Sequence, residues 1–587
     1  MASLRQASEQ FFSTHDGVSL FYRHWPATGA ERRGAVVLFH RGHEHSARMA
    51  HLVDELDLPD FDFFAWDARG HGQSPGERGY SPGFATSVRD VQTFIDHIQA
   101  THGIAQEDIG IVAQSVGAVL VATWAHDYAP RIRCQVLASP AFKVKLYVPL
   151  ARPGLRLMQR LRGNFFVTSY VKAKFLTHDP ARQASYDSDP LISRPISVNV
   201  LLELYEAADR VVADAQAITI PTQLLISGDD WVVHHAPQHA FFERLGASIK
   251  EKHVLDGFLH DTLGELERQT ATDKVRRFIL GCFAQPLQRP DLNNADRSGA
   301  TYEESLALSR PLSPFSPRGM YWAVTRLGMK VGGLLSAGVK LGHATGFDSG
   351  STLDYIYRNT ATGAGGLGRM IDRNYLDAIG WRGIRQRKLH LEELLRMAMD
   401  TLHGTQRPVH VLDVAAGHGR YVLDALQNYP QRPASILLRD FSDLNVREGN
   451  ALVRDRGLAD VTRFAQGDAF DAESLAGLAP KATVGIVSGL YELFPENNAV
   501  RRSLAGLAAA VEPGGFLLYT GQPWHPQLEL IARALTSHRE GRAWVMRRRS
   551  QAEMDQLVAE AGFEKVEQRI DRWGIFTVSL AKRRMPA

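Results

Sequence analysis

Two long stretches of this chain, about residues 15–280 and from about residue 380 onward, alternate short β-branched or apolar runs with helical patterns. Such alternation implies mostly parallel sheets with helices on their faces. In the first stretch the runs are Ala35–His40, Phe61–Asp67, Ile109–Ala113, Gln135–Ala138, Gln223–Ser227 and Lys252–Leu255; in the second they are Val409–Val414, Ser435–Arg439, Val484–Ser488 and Gly515–Thr520. Between them, Gln285–Gly299 is rich in Pro, Asp and Asn and reads as a connection rather than a core element. A chain of 587 residues also exceeds what one hydrophobic core serves, ~250–300 residues. The pattern predicts an α/β chain of two domains, 1–285 and 366–587, joined by a linker at 286–365 that carries an amphipathic segment.

Composition narrows the function classes. With 67 Lys and Arg against 64 Asp and Glu, the net charge is only +3, so no global field attracts nucleic acid, and none is expected as a partner. Cys134 and Cys282 are too few for a disulfide framework or a four-cysteine zinc site, which suits a reducing cytoplasm. The first residues lack the apolar core of a signal peptide, and no uncharged apolar run reaches ~18 residues. The expectation is a protein of the cytoplasm or the membrane surface, neither secreted by that route nor membrane-spanning.

The first chemical constellation begins where the run Ile109–Ala113 meets Gln114-Ser115-Val116-Gly117-Ala118 and then a helical pattern. A strand, a sharp turn and a helix are the context that exposes a nucleophilic serine, with small neighbours because the turn packs tightly. The usual Gly-x-Ser-x-Gly has Ala113 at its first position here. An acid follows a later strand, in Ile226-Ser-Gly-Asp-Asp230-Trp-Val-Val, and a histidine follows that, in Leu255-Asp-Gly-Phe-Leu-His260. Serine, acid, histidine is the chain order this turn type uses. Ser115 is the candidate nucleophile, His260 the base and Asp230 the group that orients it, with Asp229 the second candidate acid. His40, His43 and His45 lack carboxylate or thiolate partners at ligand spacing, so no metal is expected.

These residues resemble the serine aminopeptidase-like α/β-hydrolases that include monoglyceride lipases and lysophospholipases. The resemblance spans residues 10–280 and takes in Trp66-Asp-Ala-Arg-Gly-His-Gly-Gln-Ser74 and Tyr186-Asp-Ser-Asp-Pro-Leu191. It also takes in His40-Arg41-Gly42-His43-Glu44-His45-Ser46, where Arg41 and His43 replace glycines of the family's oxyanion loop. By resemblance the oxyanion donors are the N–H groups of Gly42 and Val116, and a helical cap occupies about residues 142–205. Between Phe142 and His178 the chain carries Lys143, Lys145, Arg152, Arg156, Arg160, Arg162, Lys172 and Lys174 and no acid, among apolar residues. Such a segment suits an anionic lipid surface, and equally an ordinary solvated cap. In the connecting segment Met320, Val324, Leu327, Val331, Leu334, Leu335 and Leu341 share one helical arc. Packing between domains is favoured there over a membrane interface, because five glycines between Gly328 and Gly342 weaken an isolated helix.

The second constellation is Val409-His-Val-Leu-Asp413-Val-Ala415-Ala-Gly417-His-Gly419, a strand, a glycine turn and a helix start, followed by Asp440 at the end of the next strand. Glycines let backbone approach a ligand at a helix N-terminus, and an acid about 20 residues on accepts from ribose hydroxyls. With Gln466-Gly-Asp468-Ala and Val511-Glu-Pro-Gly-Gly, this resembles the class I methyltransferases with their Rossmann-like fold, over about residues 380–585. The block with its linker is similar to a bacterial methyltransferase family fused behind this hydrolase type. The resemblance implies S-adenosyl-L-methionine as cofactor. Asp413 and Ala415 would belong to the cofactor site, with Gly417 and Gly419 approaching the methionine moiety, Asp440 at the ribose and Asp468 at the adenine amine. Tyr491, Glu492, Trp524 and His525 are acceptor-site candidates, or merely loop packing. The combined expectation is a bifunctional enzyme that cleaves a lipid-like acyl ester, of monoacylglycerol or lysophospholipid type, and methylates a small molecule or lipid. The alternative is a methyltransferase whose hydrolase fold is inactive and serves as a lipid-docking module.

Overall fold

The first half of the chain forms the strands β1 (Ser8–Ser13), β2 (Ser19–Trp25), β3 (Gly34–Phe39), β4 (Phe61–Trp66), β5 (Ile109–Gln114), β6 (Cys134–Ala138), β7 (Phe166–Thr168), β8 (Pro195–Ser197), β9 (Thr222–Ser227) and β10 (Lys250–Leu255) in the computed structural model, which describes residues 5–146, 150–169, 171–539 and 541–586. Eight of them build one sheet in the order β1-β2-β4-β3-β5-β6-β9-β10. Every pair from β4 to β10 is parallel, and β1 and β2 are antiparallel. The central strands β3, β4, β5 and β9 are buried along their whole length, as continuous apolar runs must be when helices cover both faces. On one face Val36, Leu38, Phe63, Val112, Val136 and Leu225 pack against Val275, Phe278 and Ile279 of the helix Gln269–Phe283. This is the α/β-hydrolase fold. The short antiparallel pair β7 and β8 and the helices Ala151–Arg162 and Val198–Ala213 form the inserted cap.

The second half forms β11 (His410–Val414), β12 (Ser435–Asp440), β13 (Thr462–Gln466), β14 (Ala482–Val487), β15 (Val511–Gly521), β16 (Phe563–Ile570) and β17 (Thr577–Arg583), in the order β13-β12-β11-β14-β15-β17-β16. Only β17 runs antiparallel to its neighbours. Strand order reverses between β11 and β14, the switch point at whose carboxyl ends ligands bind in open α/β sheets. The helix Ile379–Gly404 covers one face, with Leu391, Leu394, Leu395, Ala398, Met399 and Leu402 at helical spacing against Val411, Val484, Leu518 and Leu580. This sheet is a Rossmann-like fold.

The chain divides into the units Met1–Pro290 and Asp291–Ala587. The stretch 286–365, expected as a linker, instead carries the helices Ala300–Ser309, Pro317–Gly332, Ala337–Thr345 and Gly350–Arg358. Val339, Phe347, Tyr355 and Ile356 are buried in a core with Trp381, Ile531, Trp544 and Phe576. Two of the glycines that argued for a weak helix are close-packing points. A Cβ on Gly338 would stand 2.7 Å from the Tyr375 ring, and one on Gly342 would stand 2.5 Å from the Phe347 ring. Along the amphipathic arc Met320, Val324, Leu327, Val331 and Leu334 have exposed side chains.

Candidate active sites

Strand β5 delivers Ser115 to the start of the helix Val116–Tyr128 with φ 57° and ψ −115°, a conformation that costs a non-glycine residue ~1–3 kcal/mol. Its backbone is pinned on both sides: the Ser115 N–H donates to Ala138 O at 2.9 Å, and its carbonyl accepts from Ala141 N at 3.1 Å. Gly117 is required by close approach, since a Cβ there would stand 2.5 Å from His40 O. The bend aims Ser115 Oγ at His260 Nε2, 2.7 Å away, and His260 Nδ1 lies 2.7 Å from Asp230 Oδ2. Asp230 Oδ1 accepts from the N–H groups of Val232 and Val233 at 2.7 and 2.9 Å. Burial pushes the Asp230 pKa up, but the His260 ring and these N–H groups outweigh it and hold the carboxyl below the ordinary range. Of the two candidate acids, Asp230 reaches the histidine; the Asp229 N–H is bonded to Phe258 O.

Ser115 and His260 open onto a cavity of about 750 Å³ that Gly42 and Val116 also line. Val116 is the first residue of its helix, so its N–H has no acceptor within the helix, and a Cβ on Gly42 would stand 3.0 Å from Val116 Cγ2. The rest of the wall is apolar and comes largely from the cap, including Leu155, Met158, Val167, Leu201 and Leu204. Arg41 is buried and doubly bonded to Glu44, at 2.9 and 2.5 Å, and Glu44 also accepts from Arg48 at 2.8 Å. Burial opposes the Glu44 charge, but the two guanidiniums lower its pKa to about 2. The three histidines of this loop have separate roles. His40 Nε2 accepts from Ala68 N, His45 pairs with Asp189 at 2.9 Å, and His43 lines the cavity.

In the second unit β11 ends in Asp413 and the chain turns through three left-handed residues, Ala415 (φ 59°), Gly417 (φ 61°) and Gly419 (φ 72°). Gly419 has no room for a side chain, since its Cβ would meet Leu438 at 2.6 Å. Asp440, at the end of β12, accepts from Gly417 N at 2.8 Å through one oxygen and from Ser442 N and Asn445 Nδ2, both at 2.9 Å, through the other. Asp468, just past β13, accepts from Phe470 N at 2.8 Å. Thus Gly417, Gly419, Asp440 and Asp468 stand together along the carboxyl ends of three adjacent strands. Asp413 is fully buried, accepts from the Tyr421 hydroxyl at 2.6 Å and braces the turn from behind. Burial, with Asp440 nearby, holds its pKa well above the ordinary carboxylate range despite the Tyr421 bond. The helix Gly350–Arg358 is seated on this turn: Gly350 Cα is 3.5 Å from where a Gly417 Cβ would be, and Asp354 accepts from Arg420 at 2.6 Å.

A second cavity, of about 120 Å³, lies beyond β14 and β15 and brings two of the four acceptor candidates together, Glu492 and His525. Tyr491 is directed elsewhere, its hydroxyl donating to Ser503 at 3.0 Å, and the Trp524 ring lies under Arg548 outside the cavity lining. Burial lowers the His525 pKa to about 4. Since its Nδ1 accepts from Gln527 N at 3.0 Å, the proton of the neutral ring sits on Nε2. Arg387, 3.3 Å from Glu492, lines the same space with Gln522, Trp381, Trp544 and Phe576. The sequence places the stretch ending in Trp381-Arg-Gly-Ile-Arg-Gln-Arg387 and the loop Gln522-Pro-Trp524-His525 at the second site, without singling out Arg387 or Gln522 as site residues. The signal for Arg387 was a polar and aromatic stretch without simple period, and for Gln522 its place directly after the long strand β15.

Residues 275–583, more than half of the chain, match the family model described as "Putative methyltransferase", and the chain belongs to that family. Residues 30–267 match the model "Serine aminopeptidase, S33". Over 584 residues the chain is 57% identical to "Uncharacterized protein YnbC" of Escherichia coli (strain K12), covering 100% of both chains. The first half is 25% identical over 281 residues to a monoacylglycerol lipase of Mycolicibacterium smegmatis, covering 46% of this chain and 97% of the lipase. It is 27% identical over 261 residues to the human monoglyceride lipase, covering 43% of this chain and 84% of that protein.

Proposed function

We propose that the chain is a bifunctional enzyme, a serine hydrolase of lipid-like acyl esters and an S-adenosylmethionine-dependent methyltransferase acting on a small molecule or lipid. The observation that carries the first activity is the unbroken chain Ser115–His260–Asp230, with both bonds at 2.7 Å, at one wall of a large apolar cavity. In that geometry Ser115 Oγ attacks an acyl carbonyl while its proton passes to His260 Nε2. Asp230 steadies the charged ring, and the N–H groups of Gly42 and Val116 receive the oxyanion. His260 then returns the proton to the departing alcohol, and water releases the acid from the acyl-enzyme by the same steps. An acyl chain suits a wall built from leucine, methionine and valine, and the monoacylglycerol and monoglyceride lipases among the relatives support that substrate class.

In the second unit the left-handed glycine turn leaves close backbone access, and Asp440 offers its carboxylate beside it, which fits a nucleoside with an amino-acid tail. We assign the methionine end to Gly417 and Gly419 with Ala415, the ribose to Asp440 and the adenine amine to Asp468, while Asp413 supports the turn. When bound, S-adenosylmethionine supplies an electrophilic methyl group. Glu492 and His525 orient the acceptor, His525 as an N–H donor. The cap helix Ala151–Arg162 exposes Leu157 and Leu161 beside its arginines, which supports contact with an anionic membrane from the cytoplasm. No helix among the described residues is long and apolar enough to cross a membrane. The test is a pair of assays on purified full chain: release of fatty acid from monoacylglycerols and lysophospholipids, and calorimetric titration with S-adenosylmethionine. Hydrolysis that Ser115→Ala abolishes, together with saturable binding, supports the reading. Hydrolysis absent against every ester, with binding intact, leaves the inactive-hydrolase alternative.

A further inference from the structure

The helix Pro317–Gly332 is packed by a narrow face only. Trp322 is buried, with its indole N–H donating to Glu529 at 3.0 Å, and Met329 lines the acceptor cavity with Leu530 and Ile531. The opposite face repeats every three or four residues: Met320 is 58% exposed, Val324 69%, Leu327 61% and Val331 57%, with Leu334 78% exposed in the turn beyond. Phe315 and Tyr321 are exposed at the other end. The turn is bonded to the next exposed apolar element, Ala364 N donating to Leu335 O at 2.8 Å, and the helix that starts there exposes Leu367 and Met370. Soluble monomers rarely leave a contiguous apolar surface of this kind unoccupied.

Charge says what covers it. From Arg310 to Phe347 the chain has Arg310, Arg318, Arg326, Lys330 and Lys340 and no acidic residue, although Arg318 is paired with Glu529 at 2.7 Å. A second copy laid symmetrically on this face would set like charges against each other. An anionic lipid surface supplies both the apolar layer for the stripe and the negative charge for its flanks, and exposed aromatics suit the headgroup level. We infer that the stripe of helix Pro317–Gly332, with the turn at Leu334 and the start of helix Gly365–Leu376, docks the methyltransferase unit on anionic membrane. Docking places the acceptor cavity on the far side of one helix, ~10 Å from the lipid. The acceptor is then a molecule that partitions into the bilayer, a consequence that rests on the proposed methyltransferase activity; the docking itself does not.

Co-sedimentation of the full chain with vesicles of phosphatidylcholine, alone or mixed with phosphatidylglycerol, tests the docking. Because the hydrolase cap offers a separate basic face, the measurement starts from the cap variant Leu157→Glu/Leu161→Glu. That protein still partitions onto phosphatidylglycerol vesicles, and adding Val324→Glu, Leu327→Glu and Val331→Glu lowers partitioning by about a hundredfold. These side chains are exposed, so an unchanged melting transition accompanies the loss. Binding abolished by the cap variant alone, equal binding to neutral vesicles, or a stripe variant that binds normally overturns the inference. A dimer that the stripe substitutions split to monomers does so too. A fluorophore on Leu327→Cys, selective because Cys134 and Cys282 are buried, reads the same surface directly. Its emission shifts to the blue on adding phosphatidylglycerol vesicles; an emission already blue without lipid means that protein covers the stripe, and defeats the idea.

Discussion

Replacing Asp230 by Asn keeps the shape of the side chain, yet the surrounding bonds dictate how the amide must sit. Oδ1 accepts from the N–H groups of both Val232 and Val233, so the amide oxygen takes that position and the NH2 group faces His260. His260 Nδ1 must then accept rather than donate, which moves the ring proton to Nε2, the atom that must receive the proton of Ser115. The ring is left in the tautomer that cannot act as base. In serine hydrolases an acid-to-amide change of this kind lowers turnover by about 10⁴, or ~5.5 kcal/mol of barrier. The assay is steady-state hydrolysis of a monoacylglycerol by wild type, Asp230→Asn and Asp229→Asn, with thermal melting of each. The expected outcome is loss in the first variant at nearly unchanged stability and normal turnover in the second. Turnover within tenfold of wild type in Asp230→Asn, or its loss in Asp229→Asn, refutes the assigned triad.

Three further outcomes are expected. Ala415 holds a left-handed conformation at φ 59°, so Ala415→Gly raises stability by about 0.5–1 kcal/mol, read as a higher denaturation midpoint; a lower midpoint contradicts the strain. Asp440→Ala removes a charged acceptor beside the glycine turn and weakens S-adenosylmethionine binding by roughly tenfold to a hundredfold in calorimetry, whereas unchanged affinity removes Asp440 from the pocket. Burial lowers the pKa values of His43 and His51 to about 4 and of His71 to about 3, so in the folded state these rings stay neutral where unfolded ones, near 6.5, take up protons. Stability therefore falls as pH drops from about 6.5 toward 4, by ~2 kcal/mol for each ring at about pH 5, and a melting temperature flat from neutral pH to pH 5 contradicts it.

The sheets were readable because their central strands are continuous apolar runs, and such runs have few other places to go. Of the main-sheet strands, β1, β2, β13, β16 and β17 have no delimited run in the sequence reading; β1, β13 and β16 lie on sheet edges and carry exposed polar residues that interrupt the apolar run, whereas β2 and β17 lie inside their sheets. The hydrolase constellation was legible because a nucleophile at a strand–helix turn leaves a local signature, and its partners follow in fixed chain order. The helices between Ala300 and Arg358 were read as linker because their burial depends on partners far along the chain: Phe347 with Trp544, and Gly338 with Tyr375. The proposed acceptor cavity was only half legible for the same reason. Glu492 and His525 lie in loops directly after strands, whereas Arg387 arrives from a helix more than a hundred residues earlier. Tyr491 and Trp524 share those loops with Glu492 and His525, and only tertiary packing decides which side chains turn inward.

The most direct measurement of the central claim is covalent labelling of the intact chain with a fluorophosphonate, followed by peptide mass spectrometry. A nucleophile activated by His260 takes one adduct, on Ser115, and Ser115→Ala or His260→Ala takes none. Folded protein that acquires no adduct, or acquires one on a different serine, contradicts the assignment of the first unit as a working hydrolase.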